Sequence, residues 1–402
     1  MVASASMSST RLQSLDVLRG IAILGTLGTN IWIFTDPEGL IGYLNGPPDS
    51  PWWPVEIGLQ LLAQGKFLGL LTVMFGIGLA LQQRSALRAG LRWPGSYPWR
   101  ALLLLVDGIV HFVLFTEFDV LTGYAITGWI VSYLLVTSPR AQRRIIAGAA
   151  AVHIAMLTAI TVALLSAAGG TGASQPLDPN PYADGSFWDL VAFRLDHVLL
   201  FRLETLLIFP MSIALFLLGA RLFHAGVLEA RGTVLRRRLI WLGFAVAAPL
   251  DVALEVAGGG PGLILARYGV APFVSMGILA VVAEFYTRRP APGWAGRRLA
   301  EVGRMALSSY VLQNVLASAI CYGWGFGLAA ATPTPQRVPV TVAVYLVVVA
   351  VVTCFAHLWL RRFRRGPVEW LWNTSYRALA DRTRERRPVP HPRDGNLMRQ
   401  SL

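Results

Sequence analysis

Long apolar runs, separated by short clusters of Pro, Gly and charge, recur along almost the whole chain. Ten lie near residues 17–34, 58–82, 101–116, 119–136, 144–168, 203–223, 239–257, 262–286, 305–327 and 338–361. A helix needs about 20 mostly apolar residues to cross a bilayer. The pattern therefore predicts an all-α fold, a polytopic membrane helix bundle with about ten transmembrane helices. A short polar segment, 1–14, precedes the first span, which reads as retained rather than cleaved. Five spans fall in 15–168 and five in 203–375. Between them, 169–202 opens rich in Gly and Pro and continues with Ser186-Phe-Trp-Asp189, a capping-box pattern. The alternation that follows predicts an amphipathic helix over 187–202, lying on the surface. From 376 to 402 the chain is rich in Arg and Pro without apolar periodicity, which predicts a disordered tail. No internal repeat is visible.

Composition agrees and charge adds an orientation. With 54% hydrophobic and 14% charged residues, the chain is not an ordinary soluble enzyme. The net charge of +13 does not call for nucleic acid, because the positive residues sort by connecting segment. Of 35 basic residues, 30 lie before the first span or in every second connection after it. Only Lys66, Arg194, Arg202, Arg267 and Arg337 occupy the alternate side, where Asp36, Glu38, Asp49 and Glu56 gather. Basic residues mark cytoplasmic loops, so both termini are expected inside the cell. Cys321 and Cys354 both lie in apolar runs and read as small buried hydrophobes, not as a disulfide or metal framework.

Ionisable groups at membrane depth are costly and point to cavities or partners. Asp16 and Arg19 are three apart and can pair, or Arg19 can bind an anionic ligand. His111 is the strongest catalytic candidate, since imidazole titrates near neutral pH. Glu117 and Asp119 follow in a very short turn, and Asp107 lies one helical turn before it. An acid at either side could orient the ring for general-base work. Asn30, Lys66, His111, Asp119 and Asp251 all fall in the outer halves of their spans, which predicts one polar cavity opening outward. Gln313 and Asn314 lie near mid-span. The run Phe75-Gly-Ile-Gly78 has no preceding strand and reads as close helix packing, not as a phosphate loop. No zinc-type spacing, serine nucleophile elbow or Walker pattern occurs, so no metal is expected.

Several short motifs, taken in order, resemble the bacterial YeiB-like family. They are Leu15-Asp-Val-Leu-Arg-Gly-Ile-Ala-Ile-Leu-Gly25 with Asn30, then Lys66-Phe and Met74-Phe-Gly-Ile-Gly78, then His111 through Asp119-Val-Leu. Gly303-Arg-Met-Ala-Leu with Tyr310 and Gln313, and Gly366-Pro-Val-Glu-Trp-Leu-Trp372, complete the set. The resemblance implies a multi-pass protein of the bacterial inner membrane. It extends more distantly to membrane acyltransferases, which carry an acyl group from cytoplasmic acyl-CoA to a hydroxyl or amine on the far side. On that analogy His111 is the base, with Asp119 or Asp107 orienting it. Arg19 and Arg304 attract the anionic donor, and Asn30, Lys66, Asp251 and Gln313 line the substrate cavity. The partners implied are the bilayer and a glycan or lipid-like acceptor, with acyl-CoA as co-substrate and no permanently bound cofactor. Two departures stand out. Asn30 occupies the position of a catalytic His in the glycan acylases and is not a base, and Phe118 replaces a Gly in the hairpin. A transporter of a small anion or metabolite, or a scaffold or sensor without turnover, are the other readings.

Overall fold

The structure, a computed structural model, describes residues 2–46, 50–167, 176–289 and 293–385. No strand occurs among the described residues, as expected for a chain whose backbone must satisfy its own hydrogen bonds in lipid. The first half comprises α1 (Val2–Phe34), α2 (Gly39–Leu44), α3 (Trp53–Ala63), α4 (Lys66–Arg88), α5 (Tyr97–Leu114), α6 (Leu121–Leu134) and α7 (Pro139–Ala167). Then follow α8 (Phe187–Asp196), α9 (Val198–His224), α10 (Thr233–Ile240), α11 (Ala248–Ala257), α12 (Gly259–Leu265) and α13 (Ala271–Arg288). The last helices are α14 (Trp294–Arg304), α15 (Ala306–Cys321), α16 (Leu328–Ala331), α17 (Arg337–Arg362) and α18 (Pro367–Glu385).

Among the described residues, eight helical stretches are long and apolar enough to cross a membrane, rather than ten. The other two expected spans are shorter: α6 has 14 residues and α15 has 16. At 1.5 Å per residue they reach only about 21 and 24 Å. Both bury small and polar side chains inside the bundle, so neither needs to bridge the bilayer alone. Three spans are interrupted. The span expected at 58–82 is α3 and α4 joined at Gly65, whose φ of +67° suits glycine. A Cβ there would also lie 2.3 Å from the Arg267 carbonyl oxygen. Wider π-helical turns, closed by i→i+5 hydrogen bonds, at Trp241–Ala247 and Ala266–Val270 join α10 to α11 and α12 to α13.

Two apolar cores share the interior. One gathers α4, α9 and α13, the other α1, α15 and α17. Small residues let backbones meet: a Cβ on Gly303 would lie 1.8 Å from the Asp16 carbonyl oxygen, and one on Gly76 2.1 Å from that of Phe216. Gly76 of the Gly-rich run is thus a packing position, whereas Gly78 faces open space. By contrast α7 leaves most of its apolar surface outward, toward lipid.

Three boundaries differ from the expected ones. Helix α1 already begins at Val2, within the polar N-terminal segment. The surface helix is α8 alone, ending at Asp196; residues 198–202 belong to α9. Its Ser186–Asp189 capping box is formed in both directions. The C-terminal helix runs through Glu385, past the expected onset of disorder at 376. Tyr376 stacks on Trp372, lies under the Arg100 guanidinium at 4.4 Å and hydrogen-bonds Ser96, which ties it to the bundle. Residues 386–402 lie outside the described residues.

Candidate functional site

A cavity of about 620 Å³ opens at the Arg-rich end of the bundle, between α1, α4, α5, α15 and α18. Four arginines line it: Arg19, Arg100, Arg304 and Arg365. Arg19 and Arg304, singled out from the sequence, are therefore in one place. Arg19 donates to Asp16 at 3.1 Å, and Arg100 donates to Gln82 at 2.7 Å. The cavity is an amphipathic slot, for beyond the arginines its walls are Ile23, Leu71, Met74, Phe75, Leu104 and Leu307. Gly78 contributes empty space, since a Cβ there would meet nothing within 4 Å. Glu369 closes one side. Its carboxylate accepts the amide protons of Leu307 at 2.7 Å and Ser308 at 3.1 Å, and also bonds the Ser308 hydroxyl. It therefore sits at the N-terminus of α15, where a negative charge is favoured, and fixes α18 over the slot.

The slot ends at Tyr310, Val120 and Leu121. Behind Tyr310 lies His111, 1% exposed, its ring stacked on the Tyr310 ring with centroids 4.8 Å apart. His111 Nε2 pairs with the Asn314 side-chain amide at 2.9 Å, and Nδ1 has no partner within the protein. Asn314 Oδ1 and both amide atoms of Gln313, the residue before it, are buried and equally unpartnered. A concentration of buried polar atoms without protein partners marks a place for water or substrate.

Neither of the two acids expected to orient His111 hydrogen-bonds its ring. Asp119 accepts the amide protons of Leu121 and Thr122, both at 3.0 Å, and the Thr122 hydroxyl at 2.7 Å. These are orphan donors of the first turn of α6, so the carboxylate is spent on starting that helix. Its remaining neighbour is Arg202 at 3.7 Å. Asp107 makes no hydrogen bond to the ring. The residue that holds His111 is Asn314, which the sequence showed without a role. Phe118, in place of the usual Gly, packs edge-on against Phe34 with centroids 5.2 Å apart.

The predicted single outward cavity is divided. Asn30 lines a pocket of about 30 Å³ with Thr26, Thr29, Glu204 and Arg267. Tyr310 and Val120 bound this pocket as well as the slot. Arg267 donates to Glu204 at 2.9 Å and to Gln64 at 3.0 Å. Lys66 and Asp251 instead form a buried ion pair, joined by Glu255 at 3.3 Å, and line neither cavity. Gln313 lines neither but lies beside His111's partner.

A clamp covers the far end of α5. Arg194, 2% exposed, lies 3.4 Å from Glu117 and donates to the carbonyls of Val113 and Phe115 at 3.3 Å. The Tyr182 hydroxyl donates to Glu117 at 2.9 Å. Burial, reinforced by the Glu117 charge, holds that hydroxyl well above its ordinary titration range. Among the described residues no group of three His, Cys, Asp or Glu could hold a metal ion.

Comparison with known proteins adds the lineage. Residues 222–378 match a family described as protein of unknown function (DUF418). The chain is 26% identical to the uncharacterized protein YxaH of Bacillus subtilis over 94% of its own length and 98% of YxaH. It is 29% identical to the uncharacterized protein YeiB of Escherichia coli, covering 89% of this chain and 94% of YeiB. The chain is thus similar over nearly its whole length to YxaH and YeiB. The residues of the candidate site that the sequence did not single out are Arg100, Arg365, Glu369 and, as the partner of His111, Asn314. Two signals preceded them: the Arg surplus on one side and the Gly366–Trp372 motif that holds Glu369.

Proposed function

We propose that the protein is a membrane acyltransferase that takes its donor, an acyl-CoA, into the Arg-lined slot from the cytoplasm. One observation carries this reading: four arginines at the mouth, apolar walls behind them, and His111 stacked on the residue that ends the slot. Arginine suits the phosphates of such a donor because its planar fork binds oxyanions in pairs. The apolar walls suit the acyl chain and its linker.

The acceptor is a hydroxyl or amine on the extracytoplasmic side, of the glycan or lipid-like class. For His111 to act as base, the Asn314 amide, whose Nδ2 faces Nε2 in the resting structure, turns over so that Oδ1 accepts from Nε2–H, which leaves the Nδ1 lone pair free. The acceptor proton passes to Nδ1 as its oxygen or nitrogen attacks the thioester carbonyl. The C–S bond then breaks and the thiolate recovers the proton from the imidazolium. Asn314 takes the orienting role once assigned to Asp119 or Asp107. Because Tyr310 stands between slot and imidazole, its side chain moves aside during turnover.

The test is transfer of a labelled acyl group from acyl-CoA to native membrane extract by the purified protein. His111→Gln is expected to abolish transfer while the folded protein still binds donor; undiminished transfer would remove His111 from the mechanism. The buried Lys66–Asp251–Glu255 set supports a second reading, a transporter of a small anion. That reading gains if labelled acyl-CoA is never consumed.

A further inference from the structure

The slot and the small polar pocket run along the same two helices. On α1 the slot touches Arg19 and Ile23, and the pocket begins at Thr26 and continues through Asn30. On α4 the slot reaches down to Leu71, and the pocket begins at Leu68. Three residues separate the cavities on each helix, a rise of about 4.5 Å, whereas Arg19 to Asn30 spans about 16 Å. The intervening wall is about one helical turn thick. The residues common to both cavities are Tyr310 and Val120. Tyr310 is 3% exposed, held flat against His111 and aligned by its place on α15.

We propose that the slot and the pocket are two halves of one path through the membrane, and that Tyr310, seconded by Val120, is the barrier that keeps it shut. The pocket has room for about one water molecule. It carries Asn30, Glu204 and Arg267, which can hold that water in a chain. Nothing larger than water or a proton crosses once the aromatic ring is removed. The inference rests on the two cavities and their shared wall, and not on which group the protein transfers.

The experiment is passive proton flux into vesicles containing the reconstituted full-length protein, read with a trapped pH dye. Wild type is expected to be as tight as protein-free vesicles, and Tyr310→Phe, which keeps the ring, to match it. Tyr310→Ala is expected to raise the flux at least tenfold. Adding Gly78→Trp, which fills the slot from its empty side, is expected to return that flux to the wild-type value. Each variant is first required to be monodisperse with a cooperative unfolding transition. Should Tyr310→Ala fail that requirement, Val120→Gly removes the other half of the wall and carries the same expectation. Folded Tyr310→Ala and Val120→Gly that are both as tight as wild type would overturn the proposal. So would a Tyr310→Ala leak that Gly78→Trp leaves unchanged, because the path would then not pass through the slot.

Discussion

Glu117 and Arg194 are both buried, and each answers the other's charge while Tyr182 satisfies a remaining carboxylate oxygen. Removing one partner of such a pair strands the other, a cost of about 3–5 kcal/mol, whereas replacing both by apolar groups can be nearly neutral. Arg194→Met is thus expected to lower the unfolding midpoint sharply, and Arg194→Met with Glu117→Leu to recover much of it. A double variant no better than the single would contradict the pairing. On the same segment, hydrogen bonds from the Ser186 side chain and backbone lower the Asp189 pKa. A lowered carboxylate stabilises fully above its ordinary range and loses that contribution as pH falls through the lowered value. The protection of α8 amides, taken relative to the intrinsic exchange rate at each pH, is therefore expected to fall on acidification, and the effect to flatten in Asp189→Asn. His111 was legible at this scale because an ionisable group inside an apolar run is conspicuous. Its partner was not, because Asn314 lies 203 residues away and one of the local acids, Asp119, is taken by the amides of α6.

Helix packing at close range depends on glycines whose neighbours are backbone, which cannot retreat as a side chain can. Gly303→Ala is expected to separate α1 from α14 and to destabilise by at least the ~1–3 kcal/mol typical of overpacking. Gly148→Ala, on α7 with nothing within 4 Å, is expected to be neutral or to stabilise by up to about 1 kcal/mol. Equal effects on the unfolding midpoint would contradict the contact. Most spans were readable because each is a continuous apolar run. Their interruptions were not: Gly65 takes a positive φ where a side chain would meet the Arg267 carbonyl, a neighbour that no local pattern announces. The capping box of α8 was readable because it is made of neighbours. The break after Asp196 was hidden because apolar residues flank it on both sides, Phe193 and Leu195 before it and Val198 through Phe201 after it. Helix α18 was underestimated for the same reason as Asn314, since Tyr376 is held by Arg100 and Ser96 of a distant element.

Across the whole molecule, the charge asymmetry of the sequence becomes a feature of one cavity. Arginines from α1, α5, α14 and the segment before α18 converge at its mouth, and α18 is fixed there by Glu369. A slot that is cationic outside and apolar within, ending against His111, is the basis for the donor assignment. The most direct test is the unfolding midpoint of the detergent-purified protein with increasing acetyl-CoA and longer acyl-CoAs, because a ligand of the native state stabilises it by mass action. A saturable rise is expected in wild type, a weaker one in Arg19→Ala and Arg304→Ala, and none in Gly78→Trp. No rise with any acyl-CoA in a folded wild type, or an undiminished rise in Gly78→Trp, would contradict the donor assignment.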